Sequence, residues 1–191
     1  MRWIALLLLA LAMFCSYIFM DILSPIKDLM QTERGWDSLA FGTMQALSDV
    51  MDIVYTEKIR EDEGGTYGVG VQGNLSQRPK ETFMFLIGFQ TNKEMYEKLM
   101  GIAIAELQNV ANQGPRPEDL KKVNEFLIKK HAEDMESNRY WMGCITTQDR
   151  DGYNPMADYE KLVENITSDD VANMAKAVLK GYKKEVVQIP E

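Results

Sequence analysis

Cysteine is scarce in this chain of 191 residues. The two that occur, Cys15 and Cys144, lie in an apolar leader and in a helical stretch, so a disulfide framework is excluded as the source of stability. Histidine is scarcer: His131 is alone, and a metal centre built on two histidines cannot be assembled by this chain. There is no stripe of basic residues. Acidic side chains outnumber basic ones, 29 to 21, for a net charge of −8, which argues against nucleic acid as a partner. Asp149, Asp151 and Asn154 fall in a polar cluster, but the glycine and terminal glutamate of a calcium loop are not at the required positions; a turn is the better reading.

What is present divides into three parts. Residues 1–21 form an apolar leader: Arg2 precedes an uncharged run from Trp3 to Met20, and Asp21 ends it. A helix over residues 3–20 would be ~27 Å long at ~1.5 Å per residue, just enough for a hydrocarbon core of ~30 Å. An uncleaved signal-anchor is the favoured reading. Cleavage after the small residues around Ala10-Leu11-Ala12 would leave a new terminus as apolar as the one removed. A lipoprotein reading through Cys15 is weaker, because Phe14 stands where a small residue is expected, and an artificial start in front of the tail of a longer protein is the third alternative. The anchor reading places the chain at a membrane, through residues 3–20, or in the cell envelope on the periplasmic or extracytoplasmic side. Residues 22–37 read as a linker, and residues 38–191 as one globular domain.

Within the domain, helical periodicity runs from about Ser38 through Leu39, Met44, Leu47, Met51, Val54 and Ile59. Gly64-Gly65 stops it, and Tyr67, Val69 and Val71 then alternate as the start of a strand. After a polar turn over residues 74–80, the run 81–90 is apolar on both faces, which predicts a central strand paired as a hairpin with residues 66–74. A helix opens near Thr91 and carries Met95, Leu99, Ile102, Ala103, Leu107 and Val110 until Gly114-Pro115 ends it. Pro117-Glu118-Asp119 begins the next helix, with the proline in the first turn and the acids opposing the dipole. Lys121, Lys122, Lys129 and Lys130 make that helix a solvated face, and His131 is expected to be a plain surface residue on it. Asn138 to Trp141 continue in helix, with Trp141, Cys144 and Ile145 as packing candidates, and the stretch from Gln148 to Pro155 breaks it. A short helix around Tyr159 follows, then a capping-box start at Thr167-Ser168-Asp169-Asp170, and a closing strand over Glu185–Ile189.

The corner between the first helix and the first strand holds the candidate site. Arg60 falls on the last helical turn and Tyr67 seven residues on, where a tight corner can bring both to one surface. The run Arg60-Glu61-Asp62-Glu63-Gly64-Gly65-Thr66-Tyr67 resembles the R-E-x-E-G-x-x-Y corner in the non-catalytic half of insulinase/pitrilysin-type zinc metallopeptidases. Gly114-Pro115-Arg116-Pro117-Glu118-Asp119-Leu120 is similar to a helix start of that family, and Ile166-Thr167-Ser168-Asp169-Asp170-Val171 to another. The order of elements from residue 38 onward agrees, over roughly four-fifths of the chain. The resemblance implies an α+β fold, an antiparallel sheet packed against several helices as in the insulinase C-terminal domain. The strands that ordinarily precede the first long helix are expected to be missing, since the apolar N-terminal helix stands in their place.

The resemblance further implies that Arg60 and Tyr67 are substrate-binding residues that reach a substrate backbone or a tetrahedral intermediate. A guanidinium and a phenol O–H are donors suited to a developing oxyanion. The plainer alternative is an arginine that caps a helix and a half-buried strand tyrosine. Peptidases of this family use H-x-x-E-H to hold zinc, and His131-Ala132-Glu133-Asp134-Met135 does not match it. Neither a catalytic residue nor a metal ligand is therefore expected in this chain alone. Zinc would sit in a partner half, a zinc-bearing catalytic chain or homologous subunit, and the partners would be that half and a peptide substrate. A chain of this kind belongs to a hydrolase family yet is expected to be inactive by itself. The other class of function is a membrane-tethered interaction domain, or a gene fragment, with no peptidase role.

Overall fold

The computed structural model describes residues 38–76, 81–152 and 154–188. The apolar leader and the linker, residues 1–37, lie outside the described residues. Among those described, no helix is long and apolar enough to cross a membrane.

Helix α1, Ser38–Tyr55, is the centre of the core. Its buried residues, Met44, Ala46, Leu47, Val50, Met51, Val54 and Tyr55, occupy more than one face, so neighbours can pack on it from several sides. The elements that do so are the strand Val69–Ser76 and the helices Tyr96–Gln113, Pro117–Asp134, Tyr159–Glu164 and Ser168–Lys180. Tyr55 is fully enclosed and its O–H donates to the Ala103 carbonyl at 2.8 Å, which satisfies the phenol's polar end; burial pushes its pKa well above the ordinary tyrosine value. The chain then departs from the single helix expected up to Gly64. Residues Thr56–Asp62 form a π-helical turn, a wider winding that occurs mostly as single turns within α-helices and frequently at functional sites. Ile59 remains fully buried through it, while Lys58 reaches Asp62 at 2.9 Å on the outside.

The expected hairpin is present. Strand β1, Val69–Ser76, pairs antiparallel with β2, Thr82–Phe89, in an unbroken register from Val69↔Phe89 to Ser76↔Thr82. Val69, Val71, Phe85, Ile87 and Phe89 turn toward the helices, as the period of two requires. The second strand is nevertheless not central. Met84 and Leu86 on its other face are 51% and 52% exposed, and among the described residues the sheet has two strands only. The closing strand expected from Glu185 does not form over its described part, residues 185–188. Val186 is 77% exposed there, because an alternating sequence becomes a strand only where a partner edge receives its backbone groups.

The remaining helices follow their local signals. Asn92 accepts from the Met95 N–H at 2.9 Å ahead of α2, Tyr96–Gln113, which buries Leu99, Ala103, Leu107, Val110 and Ala111. Gly114 (φ 78°) ends it, and Arg116 in extended conformation leads into α3, Pro117–Asp134. Helix α4, Asn138–Asp151, continues past Gln148, where a break was expected, and stops at the left-handed Gly152. The short α5, Tyr159–Glu164, precedes α6, Ser168–Lys180. Thr167 and Asp170 make the anticipated capping box: Thr167 Oγ1 accepts from the Asp170 N–H at 3.2 Å, and Asp170 Oδ2 accepts from the Thr167 N–H at 2.9 Å. Of the packing candidates on α4, Cys144 is buried, whereas Trp141 and Ile145 keep substantial exposure.

Candidate functional site

The corner between α1 and β1 is built on two glycines used for different reasons. Gly64 adopts φ +59°, a conformation that side chains with a Cβ rarely take. Gly65 needs the space instead: a Cβ there would stand 2.8 Å from Met95 Cε and 2.9 Å from Leu99 Cδ1, so the turn is pressed against the start of α2. The backbone beyond it is tied on both sides. The Thr91 O–H donates to the Gly65 carbonyl at 2.7 Å. Thr66 is buried; its hydroxyl donates to the Gly68 carbonyl at 2.9 Å and accepts from the Gly68 N–H at 3.3 Å, a side-chain-closed turn around residue 67. Lys98 pairs with Glu63 at the same corner.

Tyr67 projects from that closed turn with 97% of its surface exposed. It lies two residues before β1 rather than in it, so the half-buried strand tyrosine of the plainer alternative is overturned. Arg60 is exposed on the last residues of the π-helical turn. Its neighbour Ile59 anchors the turn to the core and leaves the guanidinium outside. A fixed backbone carrying two uncommitted donors suits contact with another molecule, since little ordering of the main chain remains to be done on binding.

A second group of side chains adjoins the corner, and its assembly was not evident from the sequence. Arg116, the residue before α3, donates through Nη2 to Glu57 Oε2 at 2.6 Å and through Nε to Asp119 Oδ2 at 2.5 Å. The hydrogen bond from Arg116 holds the Glu57 carboxyl below the usual carboxylate range, and the same contacts raise the guanidinium's own pKa. Arg116 thereby fastens the π-helical turn to α3 across 59 positions of sequence. The only sequence signal was the replacement of a small capping residue by arginine in front of a proline.

His131 is not the plain surface residue expected. It is half-buried, its ring stacks on Tyr159 at 4.2 Å, and Nδ1 lies 3.0 Å from the Tyr140 hydroxyl. It serves as the joint between α3, α4 and α5. Among the described residues, no group of three or more histidine, cysteine, aspartate or glutamate side chains could hold a metal ion.

The fold agrees with comparisons to known proteins. The family model described as the peptidase M16 inactive domain matches residues 28–127. Stromal processing peptidase, the chloroplastic enzyme of Pisum sativum, is 26% identical over 126 residues, which cover 62% of this chain and 10% of that one. Among solved structures, a peptidase M16 inactive domain from Pseudomonas fluorescens superimposes with a TM-score of 0.59 at 18% identity, over 71% of this chain and 34% of that one. A protease from Helicobacter pylori gives 0.62 at 13% identity, over 75% and 35%. The periplasmic protease PqqL from Escherichia coli gives 0.55 at 18% identity, over 71% and 15%. The chain thus spans about a tenth of the pea relative and at most about a third of these solved chains. With more than half of its length matched by the family model, and an α+β fold shared with solved members, the chain belongs to the peptidase M16 inactive-domain family, the non-catalytic side of the insulinase/pitrilysin-type metallopeptidases.

Proposed function

We propose that this chain is the substrate-binding, non-catalytic half of a zinc metalloendopeptidase, and that Arg60 and Tyr67 face a chamber completed by a zinc-bearing half. The observation that carries the proposal is Tyr67: its backbone is closed by Thr66 on both sides while its side chain is almost wholly exposed. A large aromatic side chain held out on a fixed turn has no structural task within the domain. Two donors at the corner, a guanidinium and a phenol, match the needs of a peptide carbonyl that gains negative charge during attack. The metal would be supplied by the other half, because zinc bound here would need ligands this family draws from H-x-x-E-H. A polypeptide substrate is in keeping with one relative of similar fold, a ferredoxin protease solved in complex with ferredoxin. An extracytoplasmic location accords with the relative described as periplasmic, and attachment through residues 3–20 would hold the domain at the membrane.

The test is reconstitution with a zinc-bearing half of the same family. Arg60→Ala and Tyr67→Phe are each expected to lower kcat of the assembled enzyme by about 10²–10³, the usual loss for one oxyanion donor, with folding unchanged. Turnover that stays undiminished in a folded Tyr67→Phe variant would remove the tyrosine from the mechanism.

A further inference from the structure

Arg116 is held more firmly than its 45% side-chain exposure would suggest. Proline stands on either side of it, Pro115 buried and Pro117 opening α3. A residue before proline is confined to extended backbone, and Arg116 has φ −60° and ψ 135°. Its carbonyl accepts from the Asp119 N–H at 3.0 Å and the Leu120 N–H at 3.1 Å, which ties the main chain to the first turn of α3. Its Nε is tied as well, to Asp119 Oδ2 at 2.5 Å, with Glu118 Oε1 at 4.0 Å. Nη2 reaches away from α3, to Glu57 Oε2 on the π-helical turn at 2.6 Å. A planar fork anchored at one end is preorganised to hold a carboxylate at the other.

The turn that contains Glu57 needs such a hold. π-Helical winding is rare, and Thr56–Asp62 continues directly from the ordinary helix of α1. Without a restraint the usual course is to go on as α-helix, at about 100° of rotation per residue. Hydrogen bonds from i to i+5 enclose more residues per turn, so each residue rotates less. Two fixed points therefore set the winding between them. The core fixes Ile59, which is fully buried, and Arg116 fixes Glu57 two residues earlier. Lys58 and Asp62 are joined at 2.9 Å within the turn itself, whereas the contact with Arg116 comes from another element and is met only when Glu57 faces α3. Arg60 follows Ile59 directly, so a change of winding would swing its side chain around the axis.

We propose that Arg116 is a positioning residue: by holding Glu57 while the core holds Ile59, it keeps Thr56–Asp62 in π-helical winding and so sets the direction of Arg60. The inference rests on the reading of the chain as a substrate-binding half. Arg116 touches no substrate in this role and acts through the turn alone.

The test is made on the full chain and on its reconstituted pair with a zinc-bearing half. Removing Arg116 outright would leave the 1%-exposed Asp119 without its cation and threaten the fold. Glu57→Ala, at the exposed end of the bridge, is therefore the first variant. Arg116→Lys is the second: it keeps a charge beside Asp119 and loses the fork that spans to Glu57. A cooperative melting transition certifies the fold of each. In both, the amide and Cα resonances of residues 60–62 should shift as π winding gives way to α. Turnover of the pair should fall about two- to fivefold, the scale of one exposed ion pair. A cycle with Arg60→Ala separates positioning from a plain structural role, because Glu57→Ala should cost nothing further once Arg60 is gone. Losses that multiply, or resonances of residues 60–62 that stay in place, would overturn the proposal. If Arg60→Ala alone leaves turnover intact, the corner is removed from the mechanism, and the resonances still decide whether Arg116 sets the winding.

Discussion

Helix α1 and the corner that follows it are adjacent in the chain and use opposite means to fix a structure. In α1 the side chains do the fixing: Leu47, Val50, Met51 and Tyr55 are enclosed by five neighbouring elements, and the backbone is an ordinary helix. At the corner the backbone is the fixed part. A π-helical turn, a positive-φ glycine and the hydroxyls of Thr66 and Thr91 set its course, while Arg60 and Tyr67 are left outside. Burial thus marks residues whose task is the fold. An immobilised main chain bearing exposed side chains marks residues available for another molecule.

The largest effect should come from the core side of this comparison. Leu47→Ala removes a fully enclosed side chain from the middle of α1 and leaves a cavity that its packed neighbours cannot close. We expect a loss of about 2–5 kcal/mol in unfolding free energy, read by chemical denaturation of the domain. A loss below about 1 kcal/mol would mean that α1 is not the centre of the core.

A smaller effect is expected where the core meets a polar group. Tyr55→Phe keeps the ring and deletes the O–H that donates to the Ala103 carbonyl at 2.8 Å. The carbonyl remains buried beside a lost donor, so about 1–2 kcal/mol should be lost with no change in the denaturant slope. A neutral substitution would show that the bond from α1 to α2 adds nothing beyond the packing of the ring.

The same division explains how far the sequence could be read. Signals that act within one turn or one hairpin were legible: the Thr167–Asp170 capping box, the stop at Gly114, the pairing of residues 69–76 with 82–89. Features that depend on distant partners were not. Nothing local tells that Arg116 will meet Glu57, or that His131 will stack on Tyr159, because both contacts exist only once the helices have packed. The π-helical winding of Thr56–Asp62 leaves no mark in the apolar periodicity, since Ile59 is buried at the same spacing either way. Strand-like alternation at 185–188 and the two-sided apolar character of 82–89 both promised a wider sheet than the described residues contain. Each pattern states what a segment could pair with, and the partner decides whether it does. At the candidate site, the two residue types and their spacing could be read, whereas the near-complete exposure of Tyr67 could not, because it arises from the turn closed by Thr66.

The smallest effect belongs to the corner, and it tests the comparison most sharply. Tyr67→Phe should change the unfolding free energy of the isolated domain by no more than about 0.5 kcal/mol, the usual range for a surface position. The tyrosine is 97% exposed, so its ring contributes almost no burial, and the turn that carries it is closed by Thr66, Gly68 and Thr91 through atoms the substitution leaves untouched. If the side chain did serve the fold, loss of the O–H would appear as a lower melting temperature and faster amide exchange at Gly68. Thr66→Val supplies the contrast: it keeps the side chain's shape, removes the hydroxyl that closes the turn, and should speed exchange at Gly68 while Tyr67 itself is unaltered. Exchange that responds to Thr66→Val and not to Tyr67→Phe would assign order at the corner to the main chain and leave the tyrosine free for a ligand. The reverse pattern would make Tyr67 a structural residue and dissolve the distinction between the corner and the core.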